Sequence, residues 1–255
     1  MRVITLSGAK GSGKSEISSI LSGRCTVVME FADPLKRFSR DVFLFSDKQL
    51  WGASKHREHQ IKGFEKGSLE LKYHLMDGRF SNEHWNNSFI RMKKILPNFI
   101  SELELGTYFL NPEAVMLEWF VNTYNTGITC PRDVLISLGA LFKRNPIMAN
   151  CGVNVINKVS KGFIYTQKEG LHDCGSNSIS TVVVPGLRFE KEMNALKSIK
   201  ASDVGLTMVY VLRDQMEPVS PSLENLIPIT MFDVIIQNNG SLQDLRNNVK
   251  NLLKD

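Results

Sequence analysis

The residues most able to do chemistry stand in one short segment near the N-terminus, Gly8-Ala9-Lys10-Gly11-Ser12-Gly13-Lys14-Ser15, which fits GxxxxGK[ST] at every fixed position. Each residue type has a chemical reason to be there. Glycines permit backbone turns that aim several N–H groups at one anion, and a helix starting directly after them adds its positive N-terminal end. Lys14 contributes a movable positive charge for the outer phosphates of a nucleoside triphosphate, and the Ser15 hydroxyl is a small hard oxygen suited to Mg²⁺. Gly8, Lys10, Gly11, Ser12, Gly13, Lys14 and Ser15 are therefore expected to hold the triphosphate, with Lys14 catalytic and Ser15 on the metal. Such a loop fixes a nucleotide but no reaction, because kinases, GTPases and motors share it.

Further phosphate-binding candidates are basic residues at helix starts and strand ends. Arg132 follows Pro131 in the first turn of an expected helix, where the helix N-terminus also favours an anion. Arg57 offers a guanidinium, which matches a pair of phosphate oxygens better than an ammonium does. Lys36 follows Asp33-Pro34, a capping pattern as well as a possible contact, and Lys143 with Arg144 could form a closing lid. His56 and His59 lack a third ligand for a metal. The four cysteines show no CxxC pairing, so reduced thiols are expected.

These groups need a scaffold. Arg2-Val3-Ile4-Thr5-Leu6 reads as a buried strand into the glycine loop, and Ile17, Ile20 and Leu21 recur at helical spacing after it. Further strands are expected at 27–31, 181–184, 206–212 and 232–236. Residues 34–160 read as mostly helical, with Asn111-Pro112 and Pro131 as helix starts. Met193, Leu196 and Ile199 mark a helix after the third strand. Ser241 to Asp244 forms a capping box ahead of Leu242, Leu245, Val249 and Leu252 on one side of a final helix. Alternating strand and helix at both ends argue for a parallel sheet covered on both faces, with ligands at the C-terminal strand ends. Residues 1–33 and 180–255 are expected to form the nucleotide-binding core, and 34–179 a helical insertion.

Bulk properties add limits. The chain has 255 residues, 42% hydrophobic and 22% charged, with net charge +5 from scattered lysines and arginines. No stripe of basic and aromatic residues suggests nucleic acid, no apolar run approaches a membrane span, and no leader is visible, so a cytoplasmic protein is expected.

Several blocks, in order along nearly the whole chain, resemble the phage deoxynucleoside monophosphate kinases, which share the P-loop nucleoside monophosphate kinase fold. They are Phe31-Ala32-Asp33-Pro34-Leu35-Lys36, Trp51 to Glu58 ending in Arg-Glu, Pro131-Arg132-Asp133-Val134-Leu135-Ile136-Ser137-Leu138-Gly139, Val184-Pro185-Gly186-Leu187-Arg188 with Glu192, and Asn238-Asn239-Gly240-Ser241-Leu242. The resemblance implies an α/β three-layer P-loop NTPase sandwich with a five-stranded parallel sheet and a large helical insertion forming the monophosphate-binding and lid regions. It implies ATP and Mg²⁺ as cofactors and a nucleoside monophosphate as acceptor. Lys36, Arg57, Arg132 and Arg188 would contact that substrate, the last two also in catalysis, while Arg213 would stack on adenine and Asn238 lie beside it. It is compatible with a homodimer in a host cytoplasm. Position 186 departs from the family pattern, where an aspartate helps hold the metal. Two other readings stay open: a catalytically degenerate nucleotide-binding protein, and a kinase with another small-molecule acceptor.

Overall fold

The computed structural model describes residues 1–9, 11–23, 25–52, 54–59, 83–127, 130–142, 146–172, 179–199, 204–214 and 227–252. They divide into one unit of Met1–Phe31 with Ala149–Asp255 and a second of Ala32–Met148.

The first unit begins with β1 (Arg2–Ser7), α1 (Lys14–Leu21) and β2 (Thr26–Val28). The second follows with α2 (Asp33–Phe43), α3 (Asp47–Trp51), α4 (Ser54–Arg57), α5 (Glu83–Glu102), α6 (Pro112–Thr126) and α7 (Pro131–Phe142). The unit boundary falls in the first turn of α8 (Ile147–Val159). The first unit then resumes with β3 (Ile164–Thr166), β4 (Gly170–His172), β5 (Thr181–Pro185), α9 (Glu190–Lys197), β6 (Gly205–Leu212), β7 (Val234–Gln237) and α10 (Leu242–Leu252).

The first unit is α/β. Five parallel strands run in the order β2-β5-β1-β6-β7, flanked by helices. Ile4, Leu6, Val183, Val209, Val211 and Ile236 form one core with Ile17 and Leu21 of α1 and Leu245 and Val249 of α10. The residues of opposite parity, Val3, Val182 and Val184, are also fully buried, so both faces are covered. Continuous Val and Ile runs are what strands buried on both faces require.

Three details differ from the sequence reading. The second strand stops at Val28 rather than Phe31, although the Met29 N–H still donates to the Val183 carbonyl at 2.9 Å. A two-stranded antiparallel hairpin, β3–β4, lies in what reads as helical insertion. It packs beside β2, and with α8 it belongs to the sheet-bearing unit, so the division falls at 148/149 instead of 179/180. Leu242 is exposed, while Leu245 and Val249 carry the buried face of α10.

The second unit is helical around an aromatic core. Phe43 stacks on Phe120 at 5.9 Å, and Trp85 meets Tyr124 edge-on at 5.1 Å. The Asn111 side chain accepts the Ala114 N–H at 3.0 Å, which caps α6 as its sequence predicts. Trp119 Nε1 donates to Ser137 Oγ at 3.1 Å and ties α6 to α7. No helix among the described residues is long and apolar enough to cross a membrane.

Candidate functional site

The glycine loop joins the end of β1 to α1, at the C-terminal edge of the central strand. Two of its glycines are required by close approach. Gly8 has φ +135°, and a Cβ there would lie 2.3 Å from the Val211 carbonyl oxygen of neighbouring β6. Gly13 has φ +108°, and a Cβ there would lie 2.3 Å from Asn238 Nδ2. Both positions exclude any other residue without movement of the backbone or the amide.

Lys14 opens α1, and its ammonium donates to the carbonyls of Gly8 at 2.5 Å and Ala9 at 2.7 Å. The cation is thus folded back over the loop it follows. The Ser15 hydroxyl lies exposed in the first turn of α1. Ser12 is buried, and its Oγ has no partner among the described residues. Lys10 lies outside the described residues.

Parallel pairing puts the ends of β1, β5, β6 and β7 on one edge of the sheet, where ligands of such sheets bind. After β5, the N–H groups of Gly186 and Leu187 both donate to the Leu6 carbonyl, at 2.8 and 3.1 Å. Ser7 Oγ donates to the Leu187 carbonyl at 2.8 Å. These three bonds fasten the segment carrying Gly186 and exposed Arg188 to the strand that leads into the loop. Gly186 has φ +87°, the left-handed region. Glu192 is neither a solvated helix residue nor a free ligand. It is buried, and its Oε2 accepts the backbone N–H of Arg188 and Phe189.

The ends of β6 and β7 grip the loop from the other side. Asn238 Nδ2 donates to the Ser12 carbonyl at 2.7 Å, and Arg213 reaches the Gly11 carbonyl at 3.5 Å, the outer limit of a hydrogen bond. Asn239 holds the backbone N–H of Asp214 at 2.9 Å through its Oδ1 and donates Nδ2 to the Asp214 carboxylate. Ser241 and Asp244 form the reciprocal cap of α10, with the Ser241 N–H on Asp244 Oδ2 at 2.8 Å and the Asp244 N–H on Ser241 Oγ at 3.2 Å. The Ser241 hydroxyl and N–H hold the Asp244 carboxyl below its ordinary pKa. The Asn238-Asn239-Gly240-Ser241 segment is therefore a clip that joins the loop, the end of β6 and α10.

In the helical unit, Arg132 stands in the first turn of α7 and its Nη1 meets Glu58 Oε1 at 2.5 Å, with both side chains about half exposed. Glu58 directly follows Arg57, so this ion pair brings the two arginines predicted for one role into one neighbourhood. Arg57 Nη2 donates to the Gly52 carbonyl at 3.2 Å, while its Nε has no hydrogen-bond partner among the described residues. Lys36 lies differently from what a substrate contact needs. It is buried, its ammonium stands 3.8 Å from the Asp33 carboxylate and 5.9 Å from the Trp51 ring, and Trp51 Nε1 donates to the same carboxylate at 3.0 Å. Burying a charge beside its counter-ion is a structural arrangement, as the capping pattern at Asp33-Pro34 also reads. Lys143 and Arg144 lie outside the described residues.

No group of His, Cys, Asp and Glu among the described residues is arranged to hold a metal. Cys25, Cys130 and Cys151 are free thiols, and Cys174 is outside the described residues. Sequence reasoning passed over Glu58 as a partner for Arg132 and Asn238 as a partner for the loop. Both are contacts between residues more than 70 positions apart, with no local signature.

No family model matches the chain. It is similar to a protein of Acanthamoeba polyphaga mimivirus named "Putative deoxynucleotide monophosphate kinase", with 42% identity over 59 residues, or 23% of this chain. The match spans 31% of that protein's length, about a third.

Proposed function

We propose that this chain is a kinase that transfers the γ-phosphoryl group of ATP to a deoxynucleoside 5′-monophosphate, giving ADP and the diphosphate. The observation that carries this reading is the glycine loop at the C-terminal end of β1, whose backbone, Lys14 and Ser15 form a strand–loop–helix arrangement fit for a triphosphate. The name of the mimivirus relative supports a kinase of this kind, and so does the set of arginines at Arg57, Arg132 and Arg188.

Phosphoryl transfer needs two phosphates held in line with their charge neutralised, and little covalent chemistry from the protein. Lys14 would neutralise the outer phosphates of the donor. Arg57 and Arg132 would hold the acceptor monophosphate, whose oxygen is already ionised at neutral pH, so no general base is required. Arg188 would carry charge that develops on the transferring group. Arg213 and Asn238 would flank the donor. Mg²⁺ would supply further charge neutralisation on the donor oxygens. Ser15 fits as its protein ligand, since a hydroxyl oxygen is exposed in the first turn of α1, and Mg²⁺ keeps several waters in such sites.

A specific observation favours a second reading, a nucleotide-binding protein without efficient turnover. At the end of β5, Gly186 offers no carboxylate, and Glu192 is committed to backbone N–H groups. Purified protein with ATP, Mg²⁺ and a panel of deoxy- and ribonucleoside monophosphates tests both. Diphosphate product from a deoxynucleotide supports the kinase. Nucleotide binding with no product from any acceptor supports the second reading, and absence of nucleotide binding overturns both.

A further inference from the structure

We infer that Asn238 is a positioning residue for the phosphate loop, acting through the Ser12–Gly13 peptide rather than by reading the base of the nucleotide. The inference rests on the nucleotide-binding reading of the loop and adds a role for a residue outside it.

Asn238 follows β7 directly, and its own backbone N–H donates to the Leu212 carbonyl at 2.8 Å, which fixes its Cα at the end of β6. From there the side chain crosses to the loop, and Nδ2 lies 2.7 Å from the Ser12 carbonyl oxygen. A carbonyl can only accept, so the atom facing it is the amide nitrogen and the orientation of the amide is set. The peptide between Ser12 and Gly13 is planar and trans, so its C=O and N–H point in opposite directions. Drawing the Ser12 carbonyl toward Asn238 therefore turns the Gly13 N–H away from Asn238 and into the set offered to an anion. Without that anchor the peptide could rotate about its flanking glycine torsion, and the N–H would be presented only part of the time.

The approach is close enough to constrain the sequence. The amide nitrogen occupies the space a Cβ on residue 13 would need, at 2.3 Å. The glycine at position 13 and the asparagine at position 238 are thus two halves of one contact. One of the two N–H donors of Nδ2 is committed to the loop, and that commitment fixes where the rest of the amide can point.

The test separates phosphate from base. Binding of the Mg²⁺ complexes of ATP and of inorganic tripolyphosphate, which has the phosphates and no base, is titrated for wild type, Asn238→Ala and Asn238→Ser. A thermal melt confirms that each is folded, and the serine variant keeps a small hydroxyl side chain should alanine not fold. The expected result is a loss of about twofold to tenfold for ATP in Asn238→Ala, the usual range for one neutral hydrogen bond, with the same factor for tripolyphosphate. Asn238→Ser should show a smaller loss, again equal for the two ligands. A double-variant cycle adds a second readout: Gly13→Ala should weaken tripolyphosphate less in the Asn238→Ala background than in the wild type, because the clash is gone. A loss confined to ATP, or none for either ligand, overturns the positioning role while leaving the phosphate loop intact. Wild-type protein that binds neither ligand overturns the nucleotide reading itself and this inference with it.

Discussion

Glu192 Oε2 accepts the backbone N–H of Arg188 at 2.9 Å and that of Phe189 at 3.1 Å, so a buried carboxyl closes the first turn of α9 next to the exposed Arg188. Burial pushes its pKa up from 4.5 to about 7, against the opposing pull of the two N–H groups and the Arg188 charge. The folded protein thus keeps a proton through a window in which the unfolded chain has lost it. The stability this contributes is complete below pH 4.5 and is lost as pH rises through about 7, in total roughly 3 kcal/mol. Glu192→Gln keeps an acceptor oxygen for both N–H groups and has no proton to lose. Its denaturant midpoint, relative to wild type, should therefore rise steadily between about pH 5 and pH 8. A constant difference across that window would show that Glu192 does not hold the proton.

Lys14→Ala removes the mobile cation of the loop. Loss of one preorganised oxyanion-hole donor typically lowers turnover by about 10²–10³, and Lys14 would play the equivalent part toward the phosphoryl oxygens. Turnover should fall by that much and ATP binding should weaken. The two loop carbonyls that Lys14 caps can be solvated, so the thermal midpoint should move little. Steady-state kinetics with a nucleotide titration and a melt would check this, and near-normal turnover would take the loop out of the mechanism.

Much of this arrangement is legible in the sequence because it is local. The GxxxxGK[ST] spacing, the Asn111 and Ser241 caps, and the apolar runs of the five sheet strands are all carried by neighbours within a few residues. What was not legible depends on chain crossings. The three-residue strands of β3–β4 are too short to show a period, and their membership in the sheet-bearing unit follows from packing beside β2. Lys36 reads equally as part of a helix-start capping pattern and as a possible substrate contact, and only the fold shows Asp33 and Trp51 beside its buried ammonium. Leu242 sits in an apolar pattern, but the buried stripe of α10 begins one turn later. Nothing local marks Glu192 as buried, and its commitment to the backbone N–H groups of Arg188 and Phe189 emerges only from the folded turn.

Arg132→Ala should raise the KM for the monophosphate far more than that for ATP. Losing a charge-assisted phosphate contact costs on the order of 1.5–3 kcal/mol, roughly tenfold to a hundredfold in KM. Glu58 holds the same guanidinium at 2.5 Å, so a phosphate binding at Arg132 would compete with it. Exposed ion pairs are worth up to about 1 kcal/mol, so Glu58→Gln should lower the KM for the monophosphate by no more than about fivefold. A collapse of ATP affinity in Arg132→Ala would move this arginine to the donor. A rise in the monophosphate KM of Glu58→Gln would mean that the carboxylate holds Arg132 in its working position rather than competing for it.

Gly186 is where the sequence departs from the pattern of the kinases it resembles, and the backbone there gives that departure physical content. With φ +87° the residue is in the left-handed region, and its N–H is held by the Leu6 carbonyl at 2.8 Å, so the conformation is tied to the end of β1. No atom lies within 4 Å of a Cβ built at this position, so an aspartate side chain has room. Its cost is backbone strain, which for an L-residue in this region is about 1 kcal/mol and is mildest for Asp and Asn. Gly186→Asp should therefore lose about that much stability, and should place a carboxylate beside the phosphate loop. If Mg²⁺ is held in the wild type chiefly by Ser15, the phosphates and water, the new carboxylate should lower the magnesium concentration needed for half-maximal activity. Glu192→Gln should leave the magnesium dependence where it was, because the Glu192 oxygen is bonded to α9 and not to the metal. Magnesium titrations of the three proteins, with a melt for each, decide the matter. Identical curves for wild type and Gly186→Asp would show that this strand end does not handle the metal. A shift in Glu192→Gln would show that its carboxylate acts on the metal despite the cap.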